Sequence, residues 1–67
     1  MTTATEYFNI QSELIQYLAD KKYKGNTQLA GYDYSARIAL DFNIAWRTFP
    51  EMREEMKEIF KRRIDER

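Results

Sequence analysis

Apolar side chains recur every three or four residues along most of this 67-residue chain, a spacing typical of α-helices. The spacing is clearest at the two ends of the chain. The first stripe comprises Tyr7, Ile10, Leu14, Tyr17 and Leu18, and the last comprises Met52, Met56, Ile59, Phe60 and Ile64. The sequence therefore predicts one helix over about 4–22 and another over about 50–65.

Capping signals support both predicted helices. Thr3 with Glu6 and Thr48 with Glu51 have the spacing of a capping box, and Pro50 suits a first helical turn. Basic residues follow in the last turns, where positive charge suits the helix dipole. These predicted last turns contain Lys21 and Lys22 at one end of the chain and Lys61, Arg62 and Arg63 at the other.

The segment from Tyr34 to Phe49 fits two periods. Alternation of apolar and polar residues over 37–46 is typical of a strand, whereas Ile38, Phe42 and Trp46 share one helical face. A lone strand needs partners that no other part of the chain offers, so we expect a helix over about 34–47. An α+β fold with 37–46 as a strand is the alternative.

Residues 23–33 are predicted to form a loop, because Gly25 and Asn26 favour a helix stop and Gly31 a second turn. Three tyrosines, Tyr23, Tyr32 and Tyr34, bracket this Tyr-rich loop. The predicted fold is all-α in a single domain over residues 1–67, either a small three-helix bundle or a helical dimer.

Composition argues against catalysis and against metal or cofactor binding. The chain has no cysteine and no histidine, the commonest nucleophilic and metal-ligating side chains. Its N-terminal stretch lacks the pattern of a secretory signal, and no apolar run approaches the length of a membrane span. We therefore expect a cytoplasmic protein that is not an enzyme, needs no cofactor and does not enter a membrane.

Small size favours a partner. Sixty-seven residues without a disulfide leave little core, so we expect a second chain to supply burial, in a homodimer. Leu40 and Ile44 form a second apolar stripe on the predicted central helix, and a three-helix monomer leaves this stripe exposed to solvent. Tyrosines with small amides are also common at recognition surfaces, although these rings equally fit a lid over the core.

These features predict a protein–protein interaction module, a small regulator, adaptor or inhibitor that binds a larger protein or its own copy. The predicted partner-binding residues are Tyr23, Tyr32, Tyr34, Leu40, Ile44 and Trp46. A small nucleic-acid-binding regulator is the alternative, although the net charge of zero weighs against it. Its predicted contacts are Lys21, Lys22, Lys24, Lys61, Arg62 and Arg63.

Overall fold

The computed structural model describes residues 3–66, and of Thr3 it describes only the backbone. Within this range it contains four α-helices and no strand: α1 (Thr3–Lys22), α2 (Thr27–Arg37), α3 (Ala39–Thr48) and α4 (Arg53–Asp65). A 3₁₀ turn, Pro50–Met52, precedes α4. The all-α prediction is confirmed. The alternative strand over 37–46 is wrong, because α3 occupies most of it, and residues 3–66 contain one more helix than the three expected.

The connection between α1 and α2 is much shorter than the loop predicted over 23–33. Gly25, at φ +85°, donates its N–H to the carbonyl of Ala19 at 2.9 Å and so ends α1. Asn26 then begins α2, because its side-chain oxygen accepts the backbone N–H groups of Gln28 and Leu29, each at 3.1 Å. The predicted Tyr-rich loop is wrong because Asn26 caps a new helix.

The single helix predicted over 34–47 is divided at Ile38. Ile38 donates its N–H to Tyr34 and accepts the N–H of Phe42, but its φ of −118° interrupts the helix. The aromatic ring of Phe42 explains the interruption, since it lies 5.2 Å from the ring of Tyr7 and 5.3 Å from that of Phe60. Contacts with α1 and α4 therefore set the direction of α3 against its local preference for continuing α2.

The core is built from the apolar stripes of all four helices. The innermost side chains include Leu14 and Leu18 of α1, Phe42 of α3 and Ile64 of α4. The predicted stripes at the two ends of the chain are thus confirmed as core-facing, except that Met52 is 37% exposed. Remaining buried apolar residues are Ala19, Ala30, Tyr34, Ile38, Trp46, Met56 and Phe60.

Neither predicted capping box can be assigned. Thr48 is the last residue of α3, and neither the 3₁₀ turn nor α4 receives a side-chain cap, so the box of Thr48 with Glu51 is wrong. The box of Thr3 with Glu6 involves a side chain outside the described part of the chain. None of the helices within residues 3–66 has the length and apolarity to cross a bilayer.

Candidate protein-binding surface

Four large apolar side chains project outward from α2 and α3. Leu40 is 70% exposed and Tyr32 66%, while Leu29 and Ile44 are each about half exposed. We call these four residues the outer apolar set. Leu29 and Tyr32 are neighbours on α2, and Leu40 and Ile44 are neighbours on α3. Exposure this high for large apolar groups is typical of contact sites on small proteins.

Helix geometry explains why these side chains face outward. Leu40 and Ile44 are one turn apart on α3, on the side opposite the buried Phe42 and Trp46. Tyr32 and Leu29 lie on α2 away from its buried Ala30 and Tyr34, and so share an outer face. The faces that bury the core therefore fix the outer apolar set on the opposite sides of the same two helices.

The surface of α2 and α3 carries few charges. Residues 27–48 contain four charged side chains, whereas the 13 residues of α4 contain nine. Arg37 pairs with Asp33 at 3.4 Å, and Asp41 pairs with Arg63 at 3.4 Å. Three of these four charges are therefore compensated within the chain, whereas Arg47, one turn after Ile44 on α3, is exposed.

Two of the predicted contact residues lie in the core. Tyr34 is 2% exposed, its hydroxyl donates a long 3.4 Å hydrogen bond to Gln11, and burial raises its pKa. Trp46 is 6% exposed, and the guanidinium of Arg53 covers its ring at 4.8 Å. Arg53 also donates through Nε to the Trp46 carbonyl at 2.9 Å, which fixes this stack. Neither Tyr34 nor Trp46 presents its ring on the outer face.

The other tyrosines divide between the two roles considered for them. Tyr23 is half-buried, and its hydroxyl donates to Asp33 at 2.8 Å, which ties the turn after α1 to α2. Tyr23 thus packs against the edge of the core and Tyr34 lies within it, whereas Tyr32 lies on the surface. Leu29 is not among the predicted contact residues. It lies three residues before Tyr32, on the same helical face, but this relation has no meaning in the loop that the sequence predicts.

The structure brings part of the two basic clusters together. The ammonium groups of Lys21 and Lys61 each lie 5.3 Å from the centre of the Tyr17 ring, where α1 and α4 end side by side. Asp65 lies among them and accepts the Tyr17 hydroxyl at 2.7 and 2.8 Å, a hydrogen bond that raises the pKa of Tyr17. This end therefore mixes both signs of charge.

One of the remaining basic residues lies apart from the others. Lys22, Lys24 and Arg62 are exposed near the same end. Arg63 turns toward α3, where it pairs with Asp41 and lies 5.2 Å from the ring of Phe60. Five of the six predicted nucleic-acid contacts thus lie near the ends of α1 and α4, and Arg63 faces α3.

Two open grooves are present in the described structure, of about 360 and 280 Å³. The larger has Ile38 and Phe60 in its lining, and the ion pair of Asp41 with Arg63 lies at its side. Within residues 3–66 no three acidic side chains converge in a way that would hold a metal ion.

Comparison of the chain with models of protein families, with curated proteins and with solved structures finds no match. The candidate surface is therefore identified by exposure, charge and helix geometry alone. On those grounds the outer apolar set is the strongest candidate contact site.

Proposed function

We propose that this chain is a non-enzymatic protein–protein interaction module whose contact site is the outer apolar set on α2 and α3. It acts as a small regulator, adaptor or inhibitor, either by binding a larger protein or by associating with its own copy. The observation that supports this function is the outward exposure of Leu40, Tyr32 and Ile44 on a charge-poor surface. The proposal keeps the cytoplasmic location expected from the sequence.

The energetics of such a site are favourable. Fully burying a leucine- or isoleucine-sized side chain contributes about 1.5–3 kcal/mol relative to leaving it in water. Tyr32 adds an exposed ring whose hydroxyl suits the polar edge of an interface. A few well-buried anchors of this kind are enough to dominate binding energy.

The partner in this proposal adds an interface and does not complete the core. The chain exposes 4717 Å², close to the roughly 4,500 Å² that surface scaling gives for a folded monomer of this mass. The four helices thus bury as much surface as an ordinary monomer of this size. Self-association through the outer apolar set is accordingly a concentration-dependent equilibrium in this proposal.

A double substitution tests the site. Leu40→Glu with Ile44→Glu places two charges on the outer face of α3, and Ser12→Glu with Gln16→Glu adds the same charges at the same spacing on the exposed face of α1. Wild type and both variants are immobilised and exposed to cell lysate, and the bound proteins are quantified. We expect the α3 variant to bind at least tenfold less of a protein that wild type captures. The α1 control should bind the same amount of that protein as wild type. Equal binding by both variants would overturn the proposal.

One observation favours the alternative of a nucleic-acid-binding regulator, namely that Lys21 and Lys61 meet around Tyr17. The same immobilised proteins can be tested with labelled single- and double-stranded DNA and RNA. Phosphate binding would weaken steeply with added salt and with Lys21→Ala plus Lys61→Ala, while the α3 variant would bind normally. That result would replace the first proposal with the second.

A further inference from the structure

The four helices form two hairpins joined at one residue. Gln11 contacts Tyr34 within the first hairpin, α1–α2, and Asp41 contacts Arg63 within the second, α3–α4. Ile38 is the single residue between the hairpins, since α2 ends at Arg37 and α3 begins at Ala39.

The interface between the hairpins consists of contacts from α1 to α3 and α4. At one end the ring of Tyr7 packs on Phe42, and the Tyr7 hydroxyl accepts the side-chain amide of Asn43 at 3.0 Å. Midway, Lys57 lies 3.3 Å from Glu13, and at the far end Tyr17 donates to Asp65. None of these contacts depends on the two hairpins belonging to the same chain.

Nothing in the local sequence requires the break at Ile38. Residues 35–41 contain neither glycine nor proline, and the N-terminus of α3 has no side-chain cap. Ile38 already makes helical hydrogen bonds on both sides, to Tyr34 and from Phe42. Rotating its φ from −118° toward the helical value of about −63° would join α2 and α3 into one helix.

A straight helix is incompatible with the contacts inside one chain. From Tyr34 to Phe42 a continuous helix rises about 12 Å, while their α1 partners, Gln11 and Tyr7, are separated by a rise of only about 6 Å. Straightening therefore carries Phe42 about one turn beyond Tyr7 and separates the hairpins. A second copy that opens in the same way offers the identical α1 surface to the displaced hairpin.

We propose that two copies of this chain exchange their α3–α4 hairpins, with Ile38 as the hinge, to form a domain-swapped dimer. Each α3–α4 hairpin then packs on α1 of the other copy and makes the same contacts as in the monomer. The exchange joins α2 and α3 into one continuous helix in each copy, while two chains lose independent motion, so the dimer is favoured by high concentration. This inference rests on the hinge and the core, and is independent of the proposed function.

Paired cysteines test the exchange directly, because the chain has no cysteine of its own. Glu13→Cys with Lys57→Cys labels a contact between the hairpins, and Asp41→Cys with Arg63→Cys labels a contact inside the second hairpin. Each reduced protein is concentrated, warmed to near its melting temperature and cooled. Dimer and monomer are then separated by size, treated with a short bis-maleimide and examined on a denaturing gel.

We expect the dimer fraction of the 13/57 pair to give covalent dimers at least fivefold more often than its monomer fraction. The 41/63 pair should cross-link within one chain in both fractions. A dimer in which the 13/57 pair also links within one chain would overturn the exchange, and so would the absence of any dimer. Failure of this test leaves the lysate experiment on the α3 surface unaffected.

A hinge substitution adds a second readout. In the proposed dimer Ala39 lies inside a continuous helix, where glycine is destabilising. In the closed monomer Ala39 is the first residue of α3, so Ala39→Gly should destabilise the monomer less. We expect it to lower the dimer association constant about tenfold, because two junctions straighten per dimer. Ala36→Gly is the control, since Ala36 lies in α2 in both forms and should leave that constant unchanged. Equal effects of the two glycines would contradict a hinge at Ile38.

Discussion

At the scale of single residues, the burial of Tyr34 makes the free energy of unfolding depend on pH. Its ring is 2% exposed, and burial raises its pKa far above the ordinary value of 10.0. Above about pH 10 the unfolded chain releases this proton while the folded chain keeps it. The unfolded state then binds fewer protons, so the free energy of unfolding falls as the pH rises. Below pH 10 this residue contributes no pH dependence.

We therefore expect the folded chain to lose stability between about pH 9 and about pH 11, at up to about 1.4 kcal/mol per pH unit from Tyr34. Urea unfolding of wild type and Tyr34→Phe at both pH values measures this contribution. The phenylalanine variant should show a shallower decline, because it retains the buried ring without the ionisable hydroxyl. Parallel declines in the two proteins would show that Tyr34 does not titrate in this way.

The sequence could establish part of the candidate site, the aliphatic residues but not the tyrosines. The outward position of Leu40 and Ile44 follows from their angle to Phe42 and Trp46 on a helix, and it could be predicted. Whether a tyrosine lies inside or outside could not, because the ring suits both environments. Tyr34 and Tyr32 are two residues apart and lie on opposite sides of α2, and the packing of α2 against α1 decides which of them is buried.

At the scale of the helices, the residues at helix ends determine which helix bounds can be predicted from the sequence. The bounds of α1 were nearly correct, since its stripe and the following Gly25 agree. The loop predicted after Asn26 is wrong because asparagine suits both the end and the start of a helix. The break at Ile38 has no local signal and follows from long-range packing of Phe42, which a single sequence does not reveal.

The cap on α2 gives a prediction at this scale. Asn26→Ala removes the acceptor for two backbone N–H groups, so we expect the free energy of unfolding to fall by about 1 kcal/mol. Asn9→Ala, on the exposed interior of α1, is the matched control and should be neutral or stabilise the chain by about 0.5 kcal/mol or less. Chemical unfolding of both variants provides the comparison. If Asn26→Ala were neutral as well, its side chain would not hold the start of α2.

At the scale of the whole molecule, aromatic rings hold the two hairpins together. Phe42 packs on Tyr7 of the first hairpin, and within its own hairpin it lies 5.7 Å from Trp46 and 5.3 Å from Phe60. Ion pairs across the same interface are exposed and contribute little by comparison. The closed arrangement of the hairpins thus depends on this aromatic cluster together with the buried aliphatic side chains of α1 and α4.

A buried phenylalanine replaced by alanine typically costs about 3–5 kcal/mol. A chain of this length has only about 3–10 kcal/mol of total stability. We therefore expect Phe42→Ala to lose most of its cooperative thermal transition by circular dichroism. Leu40→Ala, on the outer face of the same helix, should shift stability by about 0.5 kcal/mol or less, because Leu40 is 70% exposed. If Leu40→Ala proved as damaging as Phe42→Ala, Leu40 would be covered by another chain in solution, and the protein would not be a free monomer there.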